Sequence, residues 1–138
     1  MTIEYYIFAS AALKFTDRKT KDITIAIELP NSSDVIIISQ SPDGEYADDV
    51  VSRKEFEKDY KPNKENTYFI YRLESQINKR EHVFVFKLPY SKNKFAVILQ
   101  EPDGEFELEY LSEKKVAYNF PLITKHHINR LVSHGTKG

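Results

Sequence analysis

Apolar and polar positions alternate most clearly at 23–29, where Ile23, Ile25, Ile27 and Leu29 are separated by Thr24, Ala26 and Glu28. A period of two sends every second side chain to one face, which predicts a strand with one buried side. Phe84, Phe86 and Leu88 repeat the pattern. The polar clusters Pro30-Asn31-Ser32-Ser33-Asp34 and Pro89 to Lys94 read as hairpin loops leading to strands at 35–39 and 95–99. Pro42-Asp43-Gly44 and Pro102-Asp103-Gly104 then reverse the chain again, since proline presets φ at a turn corner and glycine accepts the positive φ that follows. Phe106, Leu108 and Tyr110, alternating with Glu107 and Glu109, mark a third strand. Aromatic segments at Tyr5–Phe8 and Tyr68–Tyr71 supply a leading strand to each region.

A helix signal follows each meander. Ser52 has the chemistry of an N-cap, Glu55 three residues on completes a capping box, and Val51 and Phe56 can close a hydrophobic staple. Ser112, Leu111 and Val116 repeat the cap and staple, but Lys115 stands where the box wants an acid or amide, so the second helix is expected to be the weaker. Phe56 and Tyr60, like Val116 and Phe120, are four apart and share one helical face.

These parallels form a repeat with a shift of 60 positions. Residues 35–60 lie over 95–120 without a gap, and eight of the 26 pairs are identical, among them Gln40/Gln100, the four turn residues and Ser52/Ser112. Average residue usage would give roughly one or two. Upstream the match continues after a one-residue slip. The expected fold class is α+β: an internally duplicated antiparallel β-meander with a short helix, β-β-β-β-α twice about a pseudo-two-fold axis, plus a C-terminal helix. A single domain, 1–138, would contain repeats 1–62 and 63–121 and a helical extension at 122–138, whose stripe is Ile128, Leu131 and Val132. The second repeat, with Val83, Val85 and Tyr90 in place of Thr24, Ala26 and Asn31, reads as the more central.

Composition narrows the function classes. Twenty basic against 21 acidic residues leave a net charge of −1, so no global field holds the chain on a phosphate backbone or an anionic membrane. The absence of cysteine removes disulfides, thiolate ligands and thiol nucleophiles together. No apolar run approaches the roughly twenty residues of a membrane helix, and no basic leader precedes Tyr5; a cytoplasmic location is expected.

Candidate chemistry is sparse. The acidic turns Asp43/Glu45 and Asp103/Glu105 would be presented symmetrically by a duplication and are the first candidates for partner binding; turn formation accounts for the same residues. Lys125, His126 and Arg130 make the C-terminus the most basic region, a candidate contact for phosphates or an acidic partner. His127 and His134 share a helical face but stand about 10.5 Å apart on it, too far for one zinc ion. Tyr68, Tyr71 and Arg72 offer a candidate stacking platform for single-stranded nucleic acid. No nucleophile elbow, zinc-helix motif, phosphate-cradling loop or dinucleotide fingerprint occurs, and no cofactor is expected.

The stretch Pro42-Asp43-Gly44-Glu45-Tyr46 followed by Ser52 to Pro62, with its capped E-x-F-x-x-x-Y-x-P helix, resembles a segment of small uncharacterised bacteriophage proteins. The resemblance spans residues 42–62 and implies an origin, not an activity. The leading expectation is a non-enzymatic binding protein, phage or mobile-element derived, that occupies or inhibits a host macromolecule through a pseudo-symmetric surface. A nucleic-acid binder using the basic C-terminus or aromatic strands is one alternative. A small-molecule or nucleotide-sequestering protein with a pocket between the repeats is another.

Overall fold

The structure, a computed structural model, describes residues 5–60, 66–75, 81–121 and 123. Four strands and a helix come first: β1 (Tyr5–Thr16), β2 (Ile23–Glu28), β3 (Asp34–Gln40), β4 (Tyr46–Ser52) and α1 (Arg53–Asp59). β5 (Asn66–Ser75), β6 (His82–Lys87), β7 (Lys94–Gln100), β8 (Phe106–Ser112) and α2 (Glu113–Asn119) follow. All eight strands join one antiparallel sheet in the order β4-β3-β2-β1-β5-β6-β7-β8. The architecture is therefore α+β and dominated by antiparallel sheet. The expected helix at 122–134 and the junction at 62–66 lie, but for Ile123 and the strand residue Asn66, outside the described residues.

β1 and β5 form the centre, paired from Tyr5↔Ser75 to Lys14↔Asn66. The first half of the chain runs outward from β1 to the edge strand β4, and the second half runs outward from β5 to the edge strand β8. Neither half is thus the more central, contrary to the sequence expectation. The greater apolarity of the second half instead reflects β6, whose residues His82–Phe86 are all buried.

Alternation along the strands assigns each face. On the inner face Ile25, Ile27, Ile36 and Ile38 of the first half join Ile70, Phe84, Phe86 and Ile98 of the second in a single cluster, with Phe106, Leu108 and Tyr110 packed against it. Side chains from strands so far apart in sheet order can share one core only if the sheet curls, as the right-handed twist of strands favours. The outer face is covered in two places. Phe56 of α1 closes a cluster with Ala26, Val35, Ile37 and Val51, while Val116 of α2 and Ile123 cover Tyr71, Leu73, Val83, Val85 and Val97.

The helices begin where the side chains dictate. Ser52 Oγ accepts from Glu55 N–H at 3.1 Å and Ser112 Oγ from Lys115 N–H at 3.3 Å, each satisfying a donor that the first helical turn leaves free. Phe56 is fully buried, stacked on Tyr60 at 5.5 Å between ring centroids and edge-on to Phe15 at 6.3 Å.

Ladder pairing is incomplete at the centre. β2 pairs β1 only through Leu13–Thr16, and β6 pairs β5 only through Tyr71–Glu74. Each central strand therefore runs past its own half's sheet, at opposite ends of the β1–β5 ribbon, and the sheet opens there.

Candidate binding surface on the two converging edges

Curling brings the ends of the sheet together. Tyr46 of β4 and Tyr110 of β8 have ring centroids 4.4 Å apart, and the Tyr110 hydroxyl donates to Asp48 Oδ2 at 2.7 Å. Burial, then the hydrogen bond to the Asp48 carboxylate, pushes the Tyr110 phenol well above its ordinary range, so its proton stays in place. Lys94 Nζ lies 5.1 Å from the Tyr46 ring centroid, within cation–π range. No ladder joins β4 to β8. The seam is closed by side chains.

The two turns at the ends of these edges are built alike. Gly44 N–H donates to the Ser41 carbonyl at 2.9 Å with φ +99°, and Gly104 N–H to the Glu101 carbonyl at 3.0 Å with φ +98°. This is the three-residue hairpin loop that glycine closes because it alone tolerates the positive φ cheaply. Asp43 Oδ1 accepts from Glu45 N–H and Asp103 Oδ1 from Glu105 N–H, both at 3.0 Å. The Ser41 hydroxyl also donates to Asp43, and these bonds hold its carboxyl below the ordinary value. The aspartates thus spend one oxygen on their own turns, while Glu45 and Glu105 are exposed.

Each turn meets the opposite half. Gln40, at the end of β3, is buried; its Oε1 accepts from Tyr90 N–H and its Nε2 donates to Ser91 Oγ, both at 2.8 Å. Across the seam Gly104 sits against the loop before β3, so near that a Cβ there would stand 2.6 Å from the Asn31 carbonyl oxygen.

Charge along these edges has one sign. The hairpin segment 41–52 carries Asp43, Glu45, Asp48 and Asp49, and 101–112 carries Glu101, Asp103, Glu105, Glu107 and Glu109; neither contains lysine or arginine. All nine carboxylates are exposed. With nine of its 21 acids placed here, the remainder of the chain holds twelve acids against twenty bases, a net +8. A near-neutral total hides a molecule with an acidic seam. Sequence reasoning singled out the four turn acids but passed over the strand acids, because their convergence depends on the curl of the sheet. The signal was available as two base-free stretches at the same repeat positions.

The remaining sequence candidates fall elsewhere. Tyr68 and Tyr71 are three apart on β5 and lie on opposite faces: Tyr71 is buried under α2, and Tyr68 packs on the inner core with its hydroxyl donating to the Lys87 carbonyl at 2.5 Å. Burial raises the Tyr68 phenol pKa. Arg72 shares the inner face with Tyr68 and lies with its guanidinium 5.9 Å from the Phe84 ring centroid. Lys125, His126 and Arg130 lie outside the described residues. Among the described residues no cluster of three histidine or acidic side chains is arranged to hold a metal ion, and no helix is long and apolar enough to cross a membrane.

Comparison with protein-family models, curated proteins and solved structures finds no match to this chain. The functional reading therefore rests on the geometry of the seam.

Proposed function

We propose that this chain is an internally duplicated, non-enzymatic binding protein, phage or mobile-element derived, whose acidic seam occupies a basic surface of a host protein. One observation carries the reading: two hairpins related by the 60-residue shift converge with nine exposed carboxylates and no lysine or arginine within either segment, with Lys94 of β7 reaching the Tyr46 ring. Edge strands need charge to avoid pairing with other chains, and lysine serves that purpose as well as an acid does. Edge protection explains charge but not a single sign on both edges of a chain that is otherwise net basic. A field of one sign steers a partner of the opposite sign and sets association rate more than affinity. The fitting partner is a protein with a cationic groove of the kind that otherwise holds a phosphate backbone. The duplication offers it two similar turns, Asp43/Glu45 and Asp103/Glu105.

Capture from bacterial lysate should be run side by side with the native chain and with a variant carrying Asp49→Asn, Glu105→Gln, Glu107→Gln and Glu109→Gln. These changes leave the turn aspartates and the Tyr110–Asp48 bond intact. A basic protein retained by the native chain, released as ionic strength rises and lost with the variant is the expected outcome. Equal retention by the folded variant would remove the seam from the binding surface.

A further inference from the structure

The centre of the sheet holds an edge of its own. β5 pairs β1 from Tyr5 to Lys14, whereas β2 pairs it only through Leu13–Thr16. Beyond Leu13 the two strands part around a space of about 270 Å³. Continued in register, Glu28 at the end of β2 would reach only as far as Ala11. From Tyr5 to Ala9, β1 therefore runs on with no strand beside it on that side among the described residues. Alternate residues of an antiparallel strand direct N–H and C=O to each side, so this stretch offers a template for another strand.

The chain treats its edges unequally. β4 and β8 are guarded by exposed carboxylates. From Tyr5 to Leu13, by contrast, no charged residue, proline or glycine occurs, and these are the residues that ordinarily blunt an edge. Tyr6 and Phe8 share one face of the strand and are 52% and 46% exposed. Ile7, between them on the other face, packs against the cluster under α2 and anchors the strand. The matching gap between β5 and β6 is spanned by Tyr68, whose hydroxyl donates to the Lys87 carbonyl, so β1 is the better template.

We propose that Tyr6–Ser10 pairs antiparallel with the same segment of a second copy of this chain, with Tyr6 and Phe8 of both copies covering one another. Such a contact is self-complementary about a two-fold axis and closes at the dimer. A second copy fits this edge for two reasons. An uncharged segment set against itself opposes no like charges. β1 also lies midway in the strand order, across the curled sheet from the β4–β8 seam, so the two acidic seams face away from each other. Main-chain bonds along an exposed edge largely replace bonds to water, and burial of the aromatic rings supplies most of the affinity. The dimer uses no residue of the seam and is independent of what the seam binds.

Sedimentation velocity of the full chain over rising concentration is the test. A dimer is expected, unchanged by raised ionic strength or by the four-substitution seam variant. Phe8→Lys sets an ammonium group on the edge of each copy and should weaken association by about 10-fold or more. The chain contains no cysteine, so Ala9→Cys places a single thiol on this edge. A short bismaleimide should join two copies through it, and should not join copies carrying Val50→Cys, which is exposed on β4. The cross-link decides the matter even if Phe8→Lys does not fold. A chain that stays monomeric up to about 1 mM overturns the proposal. So does a dimer that survives Phe8→Lys, one that is lost with the seam variant, or equal cross-linking through Val50→Cys.

Discussion

Gln40 and Gln100 end corresponding strands and are both buried, but they do different work. Gln40 bonds across the seam to Tyr90 and Ser91; Gln100 reaches only its own turn, donating to the Gly104 carbonyl at 3.4 Å, and its Oε1 is left without a partner. The loops explain the difference. The stretch from Pro89 to Lys94 is one residue longer than that from Pro30 to Asp34, and the longer loop delivers a backbone N–H to the opposite glutamine. The shorter loop instead sets the Asn31 carbonyl against Gly104. Shared residues build the same local structure in both halves, whereas the contacts each turn makes with the opposite half differ: hydrogen bonds at one turn, close backbone approach at the other. A single residue of loop length accompanies that difference.

The turn glycines should show this asymmetry most strongly. Gly44→Ala meets nothing within 4 Å and bears only the strain of φ +99°, about 1–2 kcal/mol. Gly104→Ala has the same strain and must also move the Asn31 backbone, because its Cβ would lie 2.6 Å from that oxygen. Urea denaturation should therefore place Gly104→Ala below Gly44→Ala by at least as much again. Equal midpoints would mean that the second turn does not bear on the first half.

The glutamines sharpen the same comparison at smaller magnitude. Gln40→Leu strips the Tyr90 N–H and the half-buried Ser91 hydroxyl of their buried partner, for a loss of about 1–2 kcal/mol. Gln100→Leu removes a buried carbonyl that bonds to nothing along with the long 3.4 Å bond to Gly104, so it should cost less than Gln40→Leu by the same measurement. A Gln100→Leu protein as unstable as Gln40→Leu would show that Gln100 Oε1 has a partner the geometry does not reveal.

What the sequence disclosed is mostly local. The turns, the two Ser caps and the alternation of Ile23, Ile25 and Ile27 act over a few residues, and each stands where its pattern predicted. The central strands were legible only at their aromatic ends. β1 continues to Thr16 through Ala9-Ser10-Ala11-Ala12, small residues of low strand propensity that are held by pairing with β5. Glu107 and Glu109 read only as the outward positions of a strand and Asp48 and Asp49 were passed over, because nothing local says that the edges bearing them meet. Arg72 read as part of an exposed stacking strip. Its placement on the inner face follows from the curl of the sheet, which no short pattern encodes.

The smallest expected effect lies on the seam itself, and pH isolates it. The position corresponding to Tyr110 in the first half is Val50, so the phenol that bridges to Asp48 has no counterpart. Tyr110 has a raised pKa in the folded chain, which means that the fold prefers its protonated form. Its contribution is fully present below the unfolded value of about 10 and is lost progressively as pH rises beyond that, since only the unfolded chain then ionises freely. Tyr110→Phe forfeits the hydrogen bond, about 1 kcal/mol at neutral pH for a partly exposed pair, and removes this group's share of the alkaline decline. Urea midpoints of the native chain and Tyr110→Phe should therefore converge as pH is raised from neutral to above 10. Parallel curves at a constant separation would show that the phenol proton does not hold the edges together, leaving the Tyr46–Tyr110 ring contact to close the seam.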